Sequence, residues 1–253
     1  MTNYTPVEGA QVIASATIAR TSSVEMQIKR AFSLYHLRCA CYCTKNCERI
    51  ELLFVDGSTT AENRLLLFED IAYASGAILS SVAFLEASAN ELFCHIRDGS
   101  DHCKSIDATA RDIMLDKWPD RKKKKQNLAG LVGKFNIIAQ AVTSENLPED
   151  DVSVRDVRAI VALRNALTHF QPEWQQVEPA CDDDPYGLNA LRGRFPPNPF
   201  ATTEYEFFPH ECLGAGCARW ALFSTVGFQK KLFDVIEITQ PKRPQEIIRE
   251  LME

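Results

Sequence analysis

The sequence lacks a long hydrophobic run and an excess of positive charge. Its longest stretch without a charged residue, from Ile71 to Leu85, contains 15 residues, many of them alanine and serine. A membrane-spanning helix needs about 20 predominantly apolar residues, so we expect no membrane segment. The first ten residues, MTNYTPVEGA, lack the basic region and apolar stretch of a secretory signal peptide. We therefore expect a cytoplasmic protein.

The overall charge is negative, which is unusual for a protein that binds nucleic acid. The 253 residues include 28 Lys and Arg against 34 Asp and Glu, a net charge of −6. Nucleic-acid-binding domains are usually basic overall, so composition alone does not indicate such a partner. One local basic run is present, formed by Arg121, Lys122, Lys123, Lys124 and Lys125. It can contact RNA phosphates, although a run of charges is more often a solvated loop.

Cysteine is abundant, but its number and setting argue against disulfides. The chain has nine cysteines, and an odd number in a long chain without an export signal favours reduced thiols. Cys39 and Cys41 alternate inside an apolar stretch, where free cysteine behaves as a small buried hydrophobe. We expect core thiols and no metal. The alternative is a structural zinc site beside His210, with two ligand pairs at Cys43, Cys47, Cys212 and Cys217.

Helix signals dominate the rest of the chain. Apolar residues at helical spacing, with caps and proline breaks, predict helices at about 24–47, 60–95, 107–117, 128–142, 152–170, 217–235 and 244–251. Residues 1–20 form an N-terminal arm that is either a short strand or disordered. No sustained alternation of apolar and polar residues indicates a sheet. We expect an all-α protein in which residues 21–253 form a single antiparallel helical bundle.

The segment at about 171–216 differs in composition from the helices on either side. It contains seven of the 12 prolines and four of the 11 glycines. Both residue types interrupt regular structure. We predict an irregular, loop-rich insertion with a possible short strand at 204–208.

The helix at 152–170 carries the residues that suggest a chemical function. Arg164 falls within its apolar face, and burying an unpaired charge costs several kcal/mol, so a partner for the guanidinium is implied. Asn165 and His169 are four residues apart and share one flank of this face. His169 lies in the last turn, where unpaired carbonyls favour its protonated form. The simpler interpretation is that Arg164 pairs with a core carboxylate and His169 caps the helix.

The segment from Arg164 to His169, RNALTH, resembles the Arg-x4-His motif of the HEPN superfamily. The match includes the asparagine that often follows the arginine, and a proline at 172 ends the helix. The resemblance covers about residues 60–235, but only the six-residue motif is specific. It implies a HEPN-like bundle, and the insertion at 171–216 departs from the minimal form of that fold.

The resemblance also implies an activity, that of an endoribonuclease without metal or cofactor. The RNA 2′-hydroxyl attacks the neighbouring phosphate, so no external nucleophile is needed. His169 would exchange protons with the attacking or leaving oxygen. Arg164 would bind the phosphate and stabilise its developing charge, with Asn165 beside it. Many relatives are toxins or phage-defence effectors, so an antitoxin or regulatory protein is an expected partner besides RNA.

The spacing of the motif adds a geometric constraint. Five residues at 100° each place Arg164 and His169 roughly 140° apart around one helix axis. One helix therefore presents the pair poorly to a single phosphate. HEPN proteins generally bring two motifs into one cleft by two-fold pairing, so the resemblance implies a homodimer with a composite site.

Two residues of the predicted second helix are candidates for a supporting role. Glu86 and Asn90 lie four residues apart among apolar neighbours. They can meet Arg164 and Asn165 across a helix–helix contact, or form a surface pair without a role.

Two other interpretations of the whole chain remain. One is a catalytically silent HEPN dimer that binds a nucleotide or a protein, and the other is a helical scaffold unrelated to the family.

Overall fold

A computed structural model describes residues 31–54, 61–100, 103, 106–118, 130–169, 187–201, 207–238 and 243–252. Its α-helices are α1 (Ser33–Glu51), α2 (Ala61–Arg97), α3 (Ala108–Lys117), α4 (Leu131–Thr143), α5 (Val152–Thr168), α6 (Ala215–Val235) and α7 (Arg243–Met252). The described residues contain no strand, which confirms the all-α prediction. The predicted N-terminal arm, residues 1–20, lies outside the described residues.

Helix α1 begins later than the sequence suggests. The prediction began at about residue 24, but Ala31 and Phe32 are not helical and α1 starts at Ser33. Its first turn is capped by α2, since the Glu91 carboxylate accepts hydrogen bonds from the backbone N–H groups of Phe32 (2.7 Å) and Ser33 (2.9 Å). The Ser33 hydroxyl donates a third bond to the same carboxylate at 2.6 Å.

The cysteines of α1 divide between the core and the solvent. Cys41, Cys43 and Cys47 are buried, but Cys39 is exposed, so the prediction that it is a core thiol is wrong. The centre of the buried stripe of α1 runs through Leu37, Ala40 and Thr44. At 100° per residue, Cys39 points about 140° away from this stripe and therefore faces the solvent.

Helix α2 is the central element of the fold. It has 37 residues and packs against α1, α3, α4, α5 and α6. Its long buried face includes Ala74, Ala77 and Ala89, none of which has any exposed surface. These small residues let neighbouring helices approach closely, and the Cys43 sulfur lies 3.0 Å from where a Cβ on Gly76 would stand.

Length and composition alone would allow one helix of the described chain to cross a membrane. This segment, Asn63–Arg97, is most of α2. The core helix of a soluble protein passes the same test, and α2 carries polar side chains that bond to its neighbours. Among them are Asp70 and Ser88, both buried.

The described part of the insertion is more ordered than its composition predicts. Residues 188–191 form a short 3-10 turn in which Leu188 and Leu191 are buried in the main core. Phe200 joins Ile50 and Leu67 in a second, smaller cluster. Of the strand predicted at 204–208 only Phe207 and Phe208 are described, and they belong to a turn that ends at Glu211 and is kinked at Phe208, so they form no strand. Apolar side chains thus hold this segment against the bundle.

Candidate functional site

Helix α5 presents the motif because one of its faces is firmly buried. The side chain of Asp151 caps its start by accepting a hydrogen bond from the N–H of Ser153 at 2.9 Å. Its core-facing residues are Val154, Val157, Ile160, Leu163 and Ala166. Burial of this stripe fixes the rotation of α5 about its axis, and it thereby sets where the motif residues point.

Arg164 lies at the edge of the buried stripe and has the acidic partner that the sequence implied. Its Nη2 is 3.6 Å from Oε1 of Glu86 on α2, and the two side chains are 28% and 43% exposed. Partly exposed pairs stabilise a fold by about 0–1 kcal/mol. The pair therefore orients the guanidinium more than it stabilises the protein. The Nε of Arg164 is buried and has no hydrogen-bond partner among the described atoms.

Asn165 and His169 are both exposed on the solvent side of α5. The helix ends at Thr168, and the backbone N–H of His169 donates to the carbonyl of Asn165 at 2.8 Å. The Thr168 hydroxyl donates to the carbonyl of Arg164 at 2.9 Å. Backbone and threonine thus close the helix, and the imidazole makes no hydrogen bond within the described part of the chain. The ring is open to solvent.

Glu86 and Asn90 project from α2 toward two different helices. Glu86 meets Arg164 of α5, as the sequence suggested, but Asn90 does not meet Asn165. Instead, Oδ1 of Asn90 accepts a hydrogen bond from Nζ of Lys134 on α4 at 3.2 Å. The reason is that α2 packs against both α4 and α5, so successive turns of α2 face different neighbours.

Lys134 is a candidate that the sequence analysis missed. Nothing marks it locally, because it is a single lysine in the first turn of an amphipathic helix. Its place beside Asn90 depends on how α4 packs against α2. Three helices thus present a row of side chains, defined here as the polar row: Lys134, Asn90, Glu86 and Arg164.

The predicted basic run at 121–125 lies outside the described residues.

The cysteines are in no arrangement suited to a metal ion in the described part of the chain, where no cluster of three or more His, Cys, Asp or Glu is positioned to hold one. Burial raises the pKa of the Cys41 and Cys43 thiols to about 11, and it also raises the pKa of Cys47 and Cys217. With these raised pKa values the groups are neutral thiols at physiological pH.

A surface groove of about 420 Å³ lies at the other end of α5. Its lining includes Asp151, Asp156, Ser224 and Lys231. The charges are already paired, since Lys231 binds Asp151 and Arg194 binds Asp156. The ion pair with Lys231, together with Ser153, lowers the pKa of Asp151. The 17 residues of α5 separate this groove from His169 by about 25 Å, so it is not part of the motif site.

Comparison with known proteins identifies no relative. No protein-family model, curated protein or solved structure matches this chain.

Proposed function

We propose that this protein is a metal-independent endoribonuclease that cleaves single-stranded RNA by attack of the 2′-hydroxyl on the adjacent phosphate. The observation that carries the proposal is the solvent-open motif edge of α5. There Arg164 is held by Glu86 while His169 stays exposed. The HEPN-like motif adds the reaction type.

His169 has the chemistry and the access that proton transfer requires. An imidazole can take a proton from the attacking hydroxyl or give one to the leaving oxygen. Its ring is exposed at the end of α5, so an RNA strand can reach it. DNA lacks the 2′-hydroxyl, and the same site would therefore leave DNA uncut.

Arg164 is suited to binding the phosphate. A guanidinium carries five N–H donors in a planar fork, and Glu86 engages only one edge of it. The remaining donors on its two terminal nitrogens can bind phosphate oxygens and stabilise the charge that develops on them. Asn165, exposed one residue further along, supplies another donor for the same strand.

A homodimer with a HEPN-like antiparallel bundle completes the proposal. Arg164 and His169 lie roughly 140° apart around α5, so one copy presents them poorly to a single phosphate. Two-fold pairing of the motif helices would place an arginine of one protomer near a histidine of its partner. The lysine and arginine residues at 121–125 would then guide RNA phosphates toward the cleft, and no cofactor is needed. An antitoxin or regulatory protein would restrain such an activity in a toxin or phage-defence effector.

One observation favours a second candidate, a catalytically silent dimer that binds a nucleotide or a protein. The Glu86 carboxylate already faces Arg164, and a neighbouring negative charge weakens phosphate binding at the guanidinium. In this case the motif would serve recognition rather than cleavage.

The decisive experiment measures RNA cleavage by the wild type and by His169→Ala. EDTA-resistant cleavage should leave 2′,3′-cyclic phosphate ends and should fall by about 10²–10⁴ in the variant, the usual cost of losing a general acid or base. The matched control is His36→Ala, which removes a partly exposed histidine from α1. Equal RNA degradation by the wild type and His169→Ala would sink the ribonuclease proposal. A wild type that is inert on diverse RNAs would favour the silent dimer.

A further inference from the structure

The polar row carries two cations, Arg164 of α5 and Lys134 of α4, each in contact with a side chain of α2. Arg164 is in contact with Glu86, and Lys134 with Asn90. Residues four apart on a helix lie on one side, about one 5.4 Å turn apart. The two cationic groups therefore contact positions one turn apart on α2, Arg164 from α5 and Lys134 from α4.

The positive charges of Arg164 and Lys134 are offset to different degrees by their partners on α2. Glu86 is negative and offsets the charge of Arg164, whereas Asn90 is neutral and leaves the charge of Lys134 uncompensated. A lysine ammonium has three donors, and Asn90 accepts only one of them. Lys134 thus gives the row its net positive charge and keeps donors available for a ligand.

We propose that Lys134 is a second phosphate-binding residue, so that the site takes a single-stranded polynucleotide through consecutive phosphates rather than a mononucleotide. This inference rests on the proposed function, since it assigns Arg164 to the phosphate at the scissile position. Lys134 then binds the neighbouring phosphate. It acts in substrate binding and takes no part in proton transfer.

The test measures binding without cleavage. A fluorescent, fully 2′-O-methylated RNA oligonucleotide cannot be cut, and its affinity is followed by anisotropy across salt concentrations. Each lost contact with a single strand reduces the salt slope by about 0.7. Lys134→Gln should show that reduction and bind several-fold more weakly, while Lys134→Arg should retain both. The control is Lys45→Gln, which removes the same charge from an exposed site on α1.

The outcomes separate this inference from the proposed function. If the wild type cleaves RNA and Lys134→Gln has an unchanged salt slope, the second phosphate site is wrong while the ribonuclease stands. If the wild type binds the oligonucleotide and Lys134→Gln weakens it without any cleavage of unmodified RNA, the phosphate site stands and the ribonuclease fails. A wild type that does not bind the oligonucleotide overturns the phosphate site.

A second, independent inference concerns two buried carboxyl groups at the junction of α1, α2 and α6. Asp70 has no exposed surface, and its Oδ2 accepts a hydrogen bond from Asn198 at 2.9 Å. Oδ1 of Asp70 is buried and lacks a conventional donor among the described atoms. The Glu51 carboxyl faces Asp70, and its Oε1 accepts a hydrogen bond from the N–H of Ala215, the first residue of α6, at 2.7 Å.

Two ionised carboxylates cannot hydrogen-bond to each other, because both are acceptors. A proton between them resolves this and gives the orphan oxygen of Asp70 a partner. Burial raises the pKa of Asp70 to about 7, and the nearby charge of Glu51 contributes. Burial raises the pKa of Glu51 as well.

The other groups around the pair act on Asp70 more weakly. The thiol of Cys47 donates to the backbone carbonyl of Asp70 at 3.5 Å. Its interaction with the Asp70 carboxyl lowers the pKa of that group, but burial and the charge of Glu51 raise this pKa more. Glu48 adds negative charge near Glu51, but it is paired with Arg219 of α6 at 2.7 Å. On the α6 side, Cys212 and Cys217 are buried thiols.

We infer that Glu51 and Asp70 share one proton and form a proton-dependent clasp between the α1–α2 pair and the end of the insertion. Asn198 links Asp70 to the Leu213 carbonyl at 2.7 Å, and Glu51 holds the start of α6. Loss of the shared proton would leave two facing negative charges in a buried site and loosen residues 198–201 and 207–215.

The sign of the pH dependence follows from the raised pKa of Asp70. An unfolded aspartate has a pKa of about 3.9, so folding takes up a proton between that value and about 7. The stabilisation is complete below about pH 4 and is lost as the pH rises through neutrality. The melting temperature should fall by about 5–10 °C between pH 5 and pH 8.

The experiment measures the fall in melting temperature between pH 5 and pH 8 for the wild type, Asp70→Asn and Glu51→Gln. The control is Glu69→Gln, at an exposed site on α2. Each of the first two variants should flatten the pH dependence, and Glu69→Gln should keep it. Hydrogen exchange at residues 207–215 should rise above neutral pH in the wild type beyond the intrinsic change in rate. Glu51→Gln decides the matter if Asp70→Asn does not fold. If the melting temperature of the folded variants falls with pH as much as that of the wild type, the inference of a shared proton is wrong.

Discussion

At the scale of single residues, the site depends on how Arg164 is held. Glu86 lies 3.6 Å from one edge of the guanidinium, and both side chains keep contact with solvent. The pair adds little to stability at such exposure. Its effect is geometric, because it limits the directions in which the remaining donors of Arg164 point.

Replacing Arg164 by lysine should separate charge from geometry. Lysine keeps the positive charge but loses the planar fork that binds two phosphate oxygens at once. We expect Arg164→Lys to lose about 10² or more of the cleavage rate, with a melting temperature within a few degrees of the wild type. Steady-state kinetics with calorimetry would check this, and a variant of unchanged rate would remove Arg164 from the reaction.

Glu86→Gln tests the positioning role of the acidic partner. The amide keeps the size of the side chain and removes its charge, so the free energy of unfolding should change by less than about 1 kcal/mol. If Glu86 orients Arg164, kcat should fall by up to about 10², and Glu86→Asp should recover part of it. A higher affinity for RNA with unchanged kcat would show instead that Glu86 only competes with the phosphate.

At the scale of helices, the start of α1 depends on a residue of another helix. The Glu91 carboxylate of α2 accepts three hydrogen bonds from Phe32 and Ser33. These satisfy N–H groups that have no partner within α1 itself. Docking of α1 on α2 and formation of its first turn are therefore coupled.

Glu91→Ala should weaken this coupling. Loss of a cap and of a charge-assisted hydrogen bond costs about 1–3 kcal/mol, so we expect a drop of that size in the free energy of unfolding. The exposed Glu69→Ala on the same helix serves as the control. Hydrogen exchange should quicken in the first turn of α1 alone, and uniform protection across α1 would argue against the cap.

At the scale of the whole molecule, assembly decides whether the proposed site is complete. A composite site predicts a dimer at micromolar concentration, with a mass twice the 28.4 kDa of one chain. Light scattering coupled to chromatography measures this directly. A mass of one chain at all concentrations would rule out the composite cleft.

The metal content of the purified protein tests whether its cysteines bind zinc. Neutral, buried thiols predict a protein without stoichiometric zinc, whose melting temperature and RNA cleavage do not change with EDTA. Elemental analysis that found about one zinc per chain would overturn this and restore the site at Cys43, Cys47, Cys212 and Cys217.

The sequence by itself determined the all-α class, the approximate helices and the need for a partner at Arg164. These follow from local physics, since helical periodicity, caps and proline breaks act over a few residues. The strand at Phe207 and Phe208 and the burial of Cys39 were wrong because both inferences used local composition, while conformation and burial depend on how a segment packs.

Only the tertiary structure decided which distant residues meet. Glu91 caps a helix 58 residues away, Lys134 binds Asn90 across 44 residues, and Asn198 binds Asp70 across 128. No local pattern marks these residues, because their neighbours in sequence give no sign of a partner. The packing of α2 against α1, α4, α5 and α6 creates the polar row and the carboxyl pair together, since buried apolar faces fix the rotation of each helix and the polar groups meet where those rotations bring them.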